Sequence, residues 1–221
     1  MILALDTTSE FGSLALAEGE RVIEVVSLRS REGFAHLIFQ QIQALVARHG
    51  KTLDDLDGFA AAAGPGSFSG VRVGLTAVKG LAEATGKRVA PVSNLLAMAY
   101  AGQGTRRAAV IQARRGEVYG AVYDEQLRPV VAEMVGPCSR FLEAIGALEV
   151  TFVVSDPTPI PDLIAGTRFA GAPVATVARE LAGAVACVAA RLFAQGGSLA
   201  PEAVDANYIR RADAEEMWKP Q

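Results

Sequence analysis

The stretch Gly64-Pro65-Gly66-Ser67-Phe68-Ser69-Gly70-Val71-Arg72-Val73-Gly74 constrains the fold of this chain more than any other. The apolar run Phe59 to Ala63 before it reads as a buried strand, and Val71 to Thr85 after it reads as a helix. Four glycines, a proline and two serines lie in these eleven residues. A strand, a tight loop and a helix start turn backbone N–H groups toward an anion, or toward another backbone at close range. The loop is not a P-loop, because no Gly-Lys-Ser/Thr follows the glycines. It is not a dinucleotide fingerprint either, because the glycine spacing differs. The helix carries large Val71, Leu75, Val78 and Leu81 and small Gly74, Ala77, Gly80 and Ala84. Each interior glycine costs about 1 kcal/mol against alanine. Close approach of a neighbouring element is the expected compensation.

The flanking pattern is α/β. Met1 to Leu5, Gly12 to Ala17 and Arg21 to Leu28 read as a three-stranded meander. Phe34 to His49 reads as a helix whose stripe of Phe34, Ile38, Ile42 and Leu45 is widened by Leu37, Phe39 and Val46. A face that broad is buried on two sides or meets a partner. Val89 to Val92 is a strand, and Asn94 to Ala101 a helix capped by Ser93. Gly102-Gln103-Gly104-Thr105 marks a boundary between an N-terminal lobe, 1–102, and a C-terminal lobe, 103–221. The meander then restarts with Ala108 to Gln112, Glu117 to Tyr123 and Val130 to Val135. A helix from Cys138 to Leu148 and a strand from Val150 to Val154 follow. Asp156 to Pro161 is expected as loop, and Val177 to Gln195 as the helix of the second lobe. The order is that of a two-lobed α/β fold made by duplication, the second copy reduced, with a tail that packs back on the first lobe.

Composition narrows the function. Net charge is −3, with 9 basic and 10 acidic side chains in the first hundred residues and 12 and 14 beyond. No basic face stands out, so strong autonomous nucleic-acid binding is not expected. Two distant cysteines, Cys138 and Cys187, and two histidines, His36 and His49, argue against a disulfide framework or a metal site. Ser67 and Ser69 have no histidine-and-acid constellation and read as helix-start residues. No catalytic residue is assigned. The first residues read as a strand, not a leader, and the default location is cytoplasmic. The one local basic cluster is Arg114 and Arg115, with Arg106 and Arg107 nearby. It reads as a solvated hairpin turn, or as a contact for phosphates or a partner's acidic edge.

The assembled motifs resemble the TsaB (YeaZ) family, which helps to make the threonylcarbamoyl modification of the adenosine beside the tRNA anticodon. The resemblance is carried by Ile2-Leu3-Ala4-Leu5-Asp6-Thr7-Thr8-Ser9, by Gly64 to Gly74 (Ser69 where threonine is usual), by Ala113-Arg114-Arg115-Gly116-Glu117-Val118-Tyr119, and by Tyr208-Ile209-Arg210. Three departures stand out. Gln112 replaces an aspartate, Gly33 a histidine, and Asn207 a proline.

The resemblance implies the actin/Hsp70/sugar-kinase (ASKHA) duplication. In that superfamily an Asp-Thr turn after the first strand approaches nucleotide phosphates, which nominates Asp6, Thr7 and Thr8. The same turn can simply satisfy its own amides. The resemblance also implies a non-catalytic scaffold that dimerises with a TsaD-like catalytic paralogue. A TsaE-like ATPase joins, and tRNA is met through the complex. The partner interface is expected on the two long helices, at Phe34, Leu37, Ile38, Gln41, Ile42, Leu45, Val71, Gly74, Leu75 and Val78. Two copies are expected to pair through the same surface in isolation. No cofactor of its own is implied; ATP or ADP with magnesium belongs to a composite site with the partner. The competing reading is a degenerate ASKHA phosphotransferase or ATPase acting alone, with Asp6 as its acid.

Overall fold

The computed structural model describes residues 1–30, 32–113 and 116–209. Strands β1 (Ile2–Asp6), β2 (Gly12–Glu18) and β3 (Arg21–Leu28) form an antiparallel meander. Helix α1 (Ile38–Arg48) leads to β4 (Gly58–Ala62), which runs parallel to β1. Helix α2 (Phe68–Thr85) leads to β5 (Arg88–Val92), parallel to β4. Helix α3 (Asn94–Ala101) crosses to the second half. There β6 (Arg106–Gln112), β7 (Glu117–Asp124) and β8 (Pro129–Pro137) repeat the meander. Helix α4 (Cys138–Ile145), β9 (Thr151–Val154), α5 (Ile160–Ile164), β10 (Val174–Thr176) and α6 (Ala182–Ala194) complete the order. The two sheets read β3-β2-β1-β4-β5 and β8-β7-β6-β9-β10. Strand for strand the order is the same, so the duplicated two-lobed α/β plan is present.

Side-chain size sorts the layers. On β1, β2 and β4, Leu3, Leu5, Leu14, Leu16 and Phe59 face α1 and α2. The alternate positions Ala4, Ala15, Ala17, Ala60 and Ala62 face the middle of the molecule. Period-two alternation of large and small leaves room there for α3 and α6, which pack together between the sheets. A second outer layer, α4 and α5, covers Val110, Val122 and Phe152 of the other sheet.

Four local readings change. Helix α1 begins at Ile38, after a turn in which the Phe34 carbonyl accepts from the Leu37 and Ile38 N–H groups. The proline run expected as loop contains the start of α5, whose Pro161 sits in the first turn, where its missing N–H costs nothing. Strand β10 occupies 174–176, and α6 starts only at Ala182. Helix α6, expected in the second lobe, lies against the first sheet, because its alanine face fits the alanine floor of β1, β2 and β4. It has no side-chain cap of its own; Ser13 of β2 accepts from the Ala182 N–H at 3.1 Å.

After α6 the chain returns along the first lobe. Leu199 exchanges both backbone hydrogen bonds with Val89 of β5, at 2.8 and 2.9 Å. Lys79 of α2 donates to the Val204 carbonyl at 2.8 Å, and the Asn207 N–H donates to the Ala63 carbonyl at 2.8 Å. Among the described residues no helix is long and apolar enough to cross a membrane.

Candidate functional site

Strand β1 ends in Asp6-Thr7-Thr8, and the glycine loop closes over it. The Ser67 N–H donates to the Thr8 carbonyl at 2.7 Å, and the Thr7 hydroxyl donates to the Gly70 carbonyl at 2.7 Å. A Cβ on Gly70 would overlap the Thr7 carbonyl oxygen. One on Gly66 would stand 2.7 Å from the Thr8 carbonyl oxygen, and one on Gly74 2.7 Å from the Thr7 hydroxyl. Three of the loop's glycines thus serve one close approach. The fourth, Gly64, sits at φ 104°, a region that side chains disfavour. Ser67 caps α2 by accepting from the Gly70 N–H at 3.3 Å. Gly74 has the neighbour its cost demanded, whereas nothing approaches Gly80.

Asp6 is 1% exposed. Its Oδ1 accepts from the Thr8 N–H at 2.9 Å and the Thr8 hydroxyl at 2.6 Å; its Oδ2 is buried without a hydrogen bond. Burial raises its pKa, opposed by the Thr8 hydroxyl and N–H, the Leu181 N–H and the Asn94 amide. Asn94, at the start of α3, extends the network. It donates to the Thr8 hydroxyl at 2.6 Å, accepts from the Gly64 N–H at 2.9 Å, and returns its own N–H to the Gly64 carbonyl at 2.9 Å.

Beside this network Glu133 of β8 gathers three donors from different elements. They are the Ser93 hydroxyl, the Tyr123 hydroxyl at 2.6 Å and the Asn207 amide at 2.6 Å. Burial and then the Glu133 charge push the Tyr123 phenol upward, so it stays a donor. Asn207 uses its backbone N–H as well, on Ala63. Proline there could make neither bond.

Between the lobes lies a cleft of about 400 Å³, lined by Ser9, Glu10, Phe11, Gln112, Asp156, Arg179 and an apolar floor that includes Val110, Val154 and Ile160. Asp6, Thr7 and Thr8 do not line it. The turn nominated for phosphate contact points inward: Thr7 and Thr8 hold the glycine loop and Asn94, and Asp6 bonds Thr8 through Oδ1 alone. Within the cleft the Arg179 guanidinium lies 4.7 Å from the Phe11 ring centre and 3.4 Å from Asp156. The Thr158 hydroxyl and N–H, then Arg179, hold the Asp156 carboxyl below its usual value, so it is ionised at neutral pH and not a general acid.

The helix pair is the other candidate. Ile38, Ile42, Leu45, Val71, Leu75 and Val78, expected at a partner surface, are buried against their own sheet, as are Phe34 and Gly74. This corrects the choice of anchors: these residues pack in the lobe's own core and expose almost no surface in the free chain. Leu37 and Gln41 remain partly accessible. Between the helices a groove of about 270 Å³ is lined by Ala35, Phe39, Arg72, Val73 and Thr76 above Ile38 and Ala77. Phe39 is 54% exposed and Phe68, at the head of α2, 47%. The breadth of the α1 stripe signalled Phe39; nothing local signalled Phe68, Asn94 or Glu133.

Other nominated residues fall outside these sites. His36 is exposed, and His49 pairs with Glu24 at 2.7 Å. Cys187 is buried and Cys138 partly so. Arg114 and Arg115, and Arg210 of the tail motif, lie outside the described residues.

The family model described as tRNA N6-adenosine threonylcarbamoyltransferase (TsaD) matches residues 28–192. The chain is 39% identical over 148 residues to the tRNA threonylcarbamoyladenosine biosynthesis protein TsaB of Haemophilus influenzae, covering 65% of this chain and 61% of that protein. It is 38% identical over 126 residues to Escherichia coli TsaB, covering 55% and 54%. The match therefore spans under two thirds of these curated relatives' length. Among solved structures, YeaZ from Pseudomonas aeruginosa superposes with a TM-score of 0.77 at 25% identity, over 94% of this chain and 98% of that one. The ethanolamine utilization protein EutJ of Carboxydothermus hydrogenoformans, at 15% identity and a TM-score of 0.52 over 84% and 88%, shares the fold alone.

Proposed function

The chain belongs to the TsaB/YeaZ family, and from that membership we propose that it takes part in tRNA threonylcarbamoyladenosine biosynthesis as a non-catalytic scaffold subunit. It docks on a TsaD-like catalytic paralogue through the α1–α2 face, and the paralogue transfers the threonylcarbamoyl group to tRNA. A TsaE-like ATPase joins that pair, tRNA is met through the complex, and in isolation two copies pair through the same face. ATP or ADP with magnesium is held only where the partner completes a site. The observation that carries this reading is the inward turn of Asp6-Thr7-Thr8. Thr7 and Thr8 hold the glycine loop and Asn94, so that the loop and the start of α2 are fixed on the end of β1 beside α1. The accessible apolar residues of the two helices, Phe39 on α1 and Val73 and Phe68 on α2, support a docking role.

Reconstitution tests the proposal. The purified chain should form a complex with the catalytic paralogue of its own organism, and tRNA modification should slow when it is left out. Full-rate modification without the chain sinks the idea. The cleft with Arg179 keeps one rival open, an ATPase acting alone. Calorimetric titration with magnesium and ATP in the absence of partners decides it, since tight binding abolished by Arg179→Ala, which lies in that cleft, would establish the rival.

A further inference from the structure

We infer that the tail segment 204–209 is built into the α1–α2 docking face, and that this face selects an apolar partner surface carrying a carboxylate. The inference rests on the docking reading above and adds to it a chemical identity for the contact and a role for the tail.

The groove between α1 and α2 is apolar apart from Thr76 and Arg72, and Arg72 is its one charged lining residue among those described. The Arg72 guanidinium lies 3.9 Å above the Phe68 ring, and its Nε–H donates to the Tyr208 hydroxyl at 3.2 Å. The Tyr208 ring in turn stands 5.7 Å from that of Phe68. Tyr208 comes from the tail, and its position is set from three directions. Lys79 holds the Val204 carbonyl, Ala63 receives the Asn207 N–H, and Glu133 of the second sheet receives the Asn207 amide. Arginine on a flexible stem is costly to order at an interface; stacked on one ring and hydrogen-bonded to another, it is already ordered before a partner arrives.

Arg72 has no ion pair among the described residues, and no other charged side chain lines the groove. An occupant must therefore be apolar along the groove and present a carboxylate at the Phe68 end, where the guanidinium fork can take it. A second copy of this chain fits the apolar part but brings its own Arg72 to the same face. Like charges on a self-complementary surface disfavour that pairing, so a partner with an acid there wins over a second copy.

The test uses the full chain and the purified catalytic paralogue in calorimetric titrations at about 50 and about 300 mM salt. Arg72→Ala should weaken binding by about tenfold at the lower salt and remove most of the salt dependence. Tyr208→Phe keeps the ring on Phe68 and removes only an exposed hydroxyl, so it cannot unfold the chain; it should weaken binding about threefold. Sedimentation of the chain alone supplies a readout independent of the paralogue, in which Arg72→Ala should self-associate more tightly than the wild type. Wild-type binding with both variants within twofold of it, and an unchanged salt slope, overturns the inference and leaves the docking reading intact. Failure of the wild type to bind overturns both, and equal self-association of wild type and Arg72→Ala overturns the argument against a second copy.

Discussion

Phe39→Ala separates a docking residue from a core residue on the same helix. Phe39 is 54% exposed in the free chain, whereas Ile42, three residues further on and on the inner stripe, is 2% exposed. Burying a whole phenylalanine side chain is worth up to about 3 kcal/mol, so the exposed half of Phe39 has about 1.5 kcal/mol left to give a partner, or a little over tenfold in Kd. The half already buried sets a similar ceiling, about 1.5 kcal/mol, on what the free chain loses, or about 3–6 °C in Tm. Ile42→Ala, by contrast, opens a cavity under the sheet and should cost about 2–5 kcal/mol of stability. Calorimetry with the catalytic paralogue, beside a thermal melt of each free variant, reads both quantities. The reasoning fails if Phe39→Ala binds within twofold of the wild type, or if it melts as low as Ile42→Ala. In the first case the interface lies off this face; in the second Phe39 is core.

Three further outcomes follow from the loop, its carboxylate and the tail. Gly70→Ala pushes a methyl group into the Thr7 carbonyl and should destabilise the chain by about 1–3 kcal/mol, measured by urea denaturation; no change would mean the loop is not held on the turn. For Asp6 burial raises the folded pKa above its ordinary 3.8, so the native state holds its proton longer than the unfolded chain. The unfolding free energy of the wild type should therefore fall relative to Asp6→Asn as pH rises from below about 4 toward neutrality, and a difference that grows in the wild type's favour refutes the burial argument. Asn207→Pro removes the bonds to Ala63 and Glu133 and should cost about 1–3 kcal/mol, read from the same denaturation curves; a neutral result would show that the tail is held by Lys79 and Leu199 alone.

The chain's own pattern determined more of the fold than of the site. Period-two runs and helical stripes placed β3 at Arg21–Leu28 and α3 at Asn94–Ala101, the latter with its Ser93 cap. The repeat of meander and alternating elements disclosed the duplication, since local hydrophobic period is a property of consecutive residues. Whether an apolar side chain meets its own sheet or a partner is not such a property. Ile38 and Phe39 are neighbours in sequence, yet one is core and the other surface, because the sheet behind α1 decides which side is covered. That the Asp6-Thr7-Thr8 turn packs under the glycine loop is seen only when Gly66 and Gly70 are found closed on Thr7 and Thr8. Glu133 and Asn207 stand 74 residues apart, and no local period could join them. The tertiary structure decided these assignments, because each depends on which distant backbone fills the space beside a residue.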